Sequence, residues 1–182
     1  MSNAIKIRVE KAPAEYDYGR SKFFGDPTSP SAWQDRFAED VIFFAQIRLE
    51  ELAPFDKENR LPHTGYLYFF MDTEAYPYDV WIDHYDGEPE MLLGEFNELD
   101  PQFAHLNQAW LMSFEECDEL DDGMKLFGIP SSEVDEEEAP LLLQFDPLEA
   151  PMGFLQHIDG YAYIFSDPTE QHSAVRLVVD HL

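Results

Sequence analysis

The sequence predicts an α+β domain, mainly antiparallel β, built from two related turn–strand units in a pseudo-twofold arrangement. Three observations lead there. Short runs rich in β-branched and aromatic residues recur along the chain, with few helical periodicities between them. Blocks of sequence recur in the same order in both halves. The 182 residues, 45% apolar and 15% aromatic, supply the core of one domain.

In chain order, Ile5 to Val9 alternates with Lys6 and Arg8 and reads as a half-buried strand. Thr28-Ser29-Pro30 offers a capping residue and a proline suited to a first helical turn, and Trp33 and Phe37 share one face of a short helix ending near Asp40. Val41 to Ile47 is a strand, Leu61 to Gly65 a turn, and Tyr66 to Met71 the strongest strand of the first half. Val80 to Tyr85 is another, closed by the Asp86-Gly87 turn. Asp100-Pro101 starts a helix carrying Phe103, Leu106 and Trp110, or else residues 110–114 are strand. Glu115 to Asp122 reads as an acidic surface stretch and Ser131 to Ala139 as an acidic loop. Leu141 to Phe145, Tyr161 to Phe165 and Val175 to His181 read as strands.

Four blocks recur. Lys22 to Pro27 matches Lys125 to Pro130 at four of six positions. Phe44 to Ile47 matches Leu142 to Phe145 around the glutamine. Gly65 to Asp72 matches Gly160 to Asp167 at five of eight, and Val80 to Tyr85 matches Leu177 to Leu182 through Asp83-His84 and Asp180-His181. Two copies are too few for a solenoid, which needs about three. They predict one domain, 1–182, containing units at about 22–85 and 125–182.

Eleven Lys and Arg stand against 38 Asp and Glu, a formal charge of −27 and a pI near 4.2. Such a chain is a poor partner for nucleic acid, whose binding rests on cations neutralising phosphates, and for anionic membranes. It suits a basic protein partner, because opposite charge speeds encounter; general solubility explains the same charge. No run approaches the roughly 18 apolar residues of a membrane span, and the first residues lack a signal-peptide pattern, so a cytoplasmic protein is expected. Cys117 is the single cysteine and excludes a disulfide within the chain.

Few residues point to chemistry. Leu61-Pro62-His63-Thr64-Gly65 fits a sortase-type pattern, but Gly65 opens a repeated strand and the turn reading is preferred. The six histidines, at 63, 84, 105, 157, 172 and 181, lack metal-site spacing. Cys117 lies among carboxylates that disfavour its thiolate. Phosphate-cradling glycine loops and a Gly-x-Ser-x-Gly elbow are missing. No catalytic residue, metal or cofactor is assigned. The candidate ligand-binding residues are Gln46, Gln144, His84 and His181. Gln46 and Gln144 interrupt apolar strands at matching places. Each either bonds loop backbone and fixes the following turn, or lines a pocket between the repeats. His84 and His181 belong to the recurring Asp-His pairs. Adjacent strand residues point to opposite faces, which argues for a repeated strand end rather than a metal or acid–base site.

The same blocks resemble the YwqG-like family of bacterial proteins of unknown function. Phe43 to Ile47, Leu61 to Asp72, Lys125 to Pro130, Leu142 to Asp146 and Gly160 to Phe165 carry the resemblance, over roughly residues 20–182. Met152-Gly153-Phe154 stands where members often have tryptophans. The resemblance implies a mixed α+β fold with internal duplication, no established catalytic residues, and a toxin-immunity role as one idea among several. Two functions are therefore expected. The first is a non-enzymatic protein-interaction module with an acidic surface. The alternative is a small-molecule-binding protein or enzyme with a pocket between the repeats.

Overall fold

The runs Val41-Ile42-Phe43-Phe44-Ala45, Tyr66 to Met71 and Leu141-Leu142-Leu143 do not alternate with polar residues. A strand of that composition must be covered on both faces. The computed structural model shows how. It describes residues 3–34, 37, 41–74, 78–94, 96–98, 101–134, 139–155, 160–170 and 175–179.

The strands are β1 (Asn3–Lys11), β2 (Lys22–Phe23), β3 (Thr28–Ser29), β4 (Val41–Arg48), β5 (Tyr66–Asp72), β6 (Asp79–Tyr85), β7 (Met91–Leu92), β8 (Trp110–Asp118), β9 (Lys125–Leu126), β10 (Leu141–Phe145), β11 (Ala162–Phe165) and β12 (Arg176–Val179). Ten form one antiparallel sheet in the order β6-β5-β4-β2-β8-β1-β9-β10-β11-β12, and β3 pairs with β7 apart from it. The end strands β6 and β12 approach each other, so the sheet curls into a nearly closed barrel. The order reads alike from both ends. The two central strands are exchanged: β8 lies beside β2, and β1 lies beside β9.

The barrel interior holds the main core, with Ile5, Ile7, Phe44, Ile47, Leu67, Phe69, Met112, Leu143, Phe145 and Ile164 among its members. Two apolar layers cover the outside. Trp33, Phe37 and Phe96 pack over Val41, Phe43, Tyr68 and Phe70 in the first half. Val134 and Ala139 pack over Leu141, Tyr163 and Phe165 in the second. These layers account for the unbroken apolar runs.

Helix is scarce: α1 (Leu49–Leu52) is the α-helix among the described residues, with short 3-10 turns elsewhere. The helix expected after Pro30 is, in its described part, a 3-10 turn at Ser31–Trp33 without a side-chain cap. Thr28 and Ser29 pair with β7 instead of capping it. Trp33 and Phe37 do pack on one surface, as their spacing implies. After Asp100 a 3-10 segment, Pro101–Asn107, buries Phe103 and Leu106, and Trp110 begins β8. The acidic stretch lies at the surface as expected, with Glu116 and Asp118 exposed, but Glu115 to Asp118 is also strand, the second half of β8 in the middle of the sheet. The pairing offsets its charge: Lys6 lies opposite Glu115, Arg8 donates to Glu115 at 2.6 Å, and Lys57 reaches Glu116 at 2.6 Å. The strand expected over 175–181 is described at Arg176–Val179; Asp180 and His181 lie outside the described residues.

Candidate functional site

Two polar rows cross the outer face of the sheet. In the first, Lys22, Gln46 and Tyr68 are cross-strand neighbours on β2, β4 and β5. In the second, Lys125, Gln144 and Tyr163 hold the corresponding places on β9, β10 and β11. All six side chains are fully buried. A buried amide or ammonium must have its hydrogen bonds filled, and the covering loops fill them. Gln46 Nε2 donates to Tyr18 O and Arg20 O, both at 2.9 Å, while its Oε1 accepts from the Thr28 N–H and hydroxyl. Gln144 Nε2 donates to Gly123 O and Ser131 Oγ, both at 2.8 Å, and its Oε1 accepts from the Ser131 N–H at 3.0 Å.

The lysines work the same way. Lys22 Nζ donates to Tyr18 O (3.0 Å), Asp26 O (2.5 Å) and the Tyr16 hydroxyl (3.5 Å). Lys125 Nζ donates to three carbonyls, of Glu119, Asp121 and Ile129, at 2.6–3.0 Å. Burial pushes Lys22 down to about 7, against the pull of Asp26 and Asp17, and burial lowers Lys125 as well. Tyr16 and Tyr18 lie beneath the Lys22 ammonium, 5.2 and 5.5 Å from it. These rows staple the loops to the sheet. No substrate atom has access to either amine.

The lysine shift has a testable sign. Folded Lys22 releases its proton near pH 7, whereas the unfolded chain keeps it to about 10.4. Between those values the unfolded state binds the extra proton, so this group's contribution to stability rises with pH. The melting temperature of the parent minus that of Lys22→Met is expected to increase from pH 7 to pH 10. A flat difference would show that Lys22 stays charged in the folded protein.

An open cleft lies between the halves. A cleft of about 520 Å³ is bounded by Glu58, Asn59 and Arg60 from the first half and by Phe127, Gly128, Leu141 and Ser166 to Thr169 from the second. The Arg60 guanidinium covers the Phe127 ring at 3.8 Å and is held by Asp56 and Asn3. A second hollow, of about 310 Å³, shares Ser166, Asp167 and Pro168 and continues to Trp81, Ile82 and His84.

A model of a domain of unknown function, DUF1963, matches residues 21–174. The chain belongs to the DUF1963 family. No curated protein matches it. The matched stretch of this DUF1963 chain contains both polar rows and the cleft, but begins after β1.

Gln46 and Gln144 lie in the rows and do not reach the cleft. The exposed His84 lines the second hollow, its Nε2 3.4 Å from Thr64 O. Cys117 is raised chiefly by burial and then by Asp121, where the sequence pointed to the carboxylates alone. Among the described residues no three His, Cys, Asp or Glu side chains gather as for a metal. No helix of the described residues is long and apolar enough to cross a membrane. Sequence reasoning missed Lys22 and Lys125 as buried groups, although both open a recurring block. Their identity at matching positions was the available signal.

Proposed function

We propose that this DUF1963 chain is a cytoplasmic, non-enzymatic interaction module that binds a basic partner protein. One observation carries the reading. Lys22 and Lys125 are buried on backbone carbonyls, which leaves nine of the eleven cations to offset 38 carboxylates. Arg8, Arg48, Lys57 and Arg60 are already engaged in ion pairs. The surface is therefore strongly acidic, which favours rapid encounter with a cationic surface. A toxin-neutralising role is one form of this activity and agrees with the YwqG-like motif set.

The fold supports a further part of the reading: the chain is an internal duplication with a pseudo-twofold axis between β1 and β8. The palindromic strand order, the matching polar rows and the left-handed residues Phe24-Gly25 and Phe127-Gly128 favour it. The units then begin earlier than the recurring blocks, because Ile7 N–H donates to Met124 O just as Met112 N–H donates to Ser21 O. The second reading, a small-molecule pocket between the repeats, is favoured by the cleft's position across both halves.

The test is capture from native lysate on immobilised protein, identification by mass spectrometry, and reconstitution of the purified pair. A basic protein that binds at low salt and is released by about 0.5 M salt is expected. A neutral or acidic partner whose binding ignores salt would refute the charge argument. Turnover of a small molecule by the purified protein would favour the second reading.

A further inference from the structure

Phe24 and Phe127 both have positive φ, 54° and 63°, and each is followed by a glycine in the same region, Gly25 at 73° and Gly128 at 84°. The neighbouring strand bulges beside each turn, between Phe43 and Ala45 in β4 and between Leu141 and Leu143 in β10. Phe43 pairs with Phe70 as Leu141 pairs with Phe165. The surroundings of the two places differ.

In the first half, residues 96–98 and 101–107 fill the space. Asn97 Oδ1 accepts from the Phe43 N–H at 2.9 Å, and Asn97 Nδ2 donates to Phe43 O at 3.2 Å and to Leu106 O at 3.3 Å. Leu106 O also accepts from the Gly25 N–H at 2.9 Å. In the second half the same place is the 520 Å³ cleft. Ser166 N–H donates to Pro140 O at 3.0 Å, which makes that a hydrogen-bonded pair. The next pair, Leu141 and Phe165, is then the non-bonded one, with the Leu141 N–H and C=O turned away from β11. Among the described residues no group bonds those two atoms or the Gly128 N–H. Leu141 is buried and Gly128 half-buried, and both line the open cleft, where a ligand can take these groups.

We propose that the cleft is the docking site for a partner segment that reproduces the Asn97 arrangement. An Asn or Gln carboxamide accepts from the Leu141 N–H and donates to its C=O. A backbone carbonyl of the same segment takes the Gly128 N–H, and an apolar neighbour packs toward Phe127. This inference rests on the partner-binding reading above and adds the place and the recognised chemistry.

The probe is a labelled peptide copying residues 96–106 with Glu98 and Asp100 replaced by serine, titrated into the whole protein by fluorescence anisotropy and amide NMR. Saturable binding is expected, moving the Gly128 and Leu141 amides and slowing their exchange while Gly25 and Phe43 stay unchanged. An Asn97→Leu peptide should bind at least about tenfold more weakly. So should the parent peptide to Thr169→Trp protein, whose fold is checked by its melting temperature. Equal affinity of the two peptides, shifts confined to other residues, or no binding at all would overturn the proposal. A lysate partner indifferent to Thr169→Trp would overturn the docking site and leave the partner reading standing.

Discussion

Replacing Gly65 by alanine is expected to destabilise the protein by about 3–5 kcal/mol, the sum of a left-handed penalty of about 1–2 kcal/mol and a backbone clash. Gly65 has φ +84°, and a Cβ there would meet Tyr85 O at 2.3 Å and Asp86 Cα at 2.8 Å. Both are backbone atoms, at the last residue of β6 and the one after it, so no side chain can swing aside. The carbonyl of Gly65 also accepts the Leu49 N–H at 2.9 Å, so displacing the turn disturbs the start of α1. At this chain length the melting temperature should fall by roughly 2–4 °C per kcal/mol. Gly94→Ala is the control, because open space surrounds that position. It should change stability by less than about 0.5 kcal/mol. Thermal unfolding followed by circular dichroism separates the two, and equal melting temperatures would refute the steric argument.

Gln46→Leu is expected to cost about 3 kcal/mol or more, since each buried group left without its partner costs about 1–3 kcal/mol. The leucine fills similar space but orphans Arg20 O and the Thr28 N–H, and leaves Tyr18 O with Lys22 Nζ as its remaining donor. Gln144→Leu orphans Gly123 O and the Ser131 N–H, and should cost somewhat less. The lost groups hold loops, so hydrogen exchange should rise first at residues 18–28 in one variant and 121–131 in the other. A variant that melts with the parent yet fails to bind an identified partner would make that glutamine a recognition residue.

Much of the sheet was legible in the sequence because burial on both faces writes itself as unbroken apolar runs. Strands β4, β5, β10 and β11 all coincide with such runs. Gln46 and Gln144 stood out because an amide within such a run needs a reason. Three features were hidden for distinct physical causes. A lysine reads as solvent-exposed, and the carbonyls that satisfy Lys22 and Lys125 carry no side-chain signature. That the surface stretch Glu115 to Asp118 is strand was hidden because the cations facing its carboxylates, Lys6, Arg8 and Lys57, lie far away in the chain. The cleft is defined by what does not fill it. No local pattern tells that Asn97 and its neighbours plug one bulge while the other opens to a hollow.

The exchange of the central strands bears on how the chain is made. β1 is synthesised before the other strands of the sheet, yet its neighbours on both sides, β8 and β9, come much later; Arg8 and Glu115 are 107 residues apart. An emerging N-terminal half thus presents β2 and β4 without the strand that borders them, and β1 waits without either neighbour. Pairings of such long range are slow to form, and open strand edges invite association between chains. Nascent chains on one messenger carry the same β1 and β2–β4 edges. Ribosome-associated chaperones, or the charge repulsion of a strongly acidic product, would keep them apart until β8 emerges.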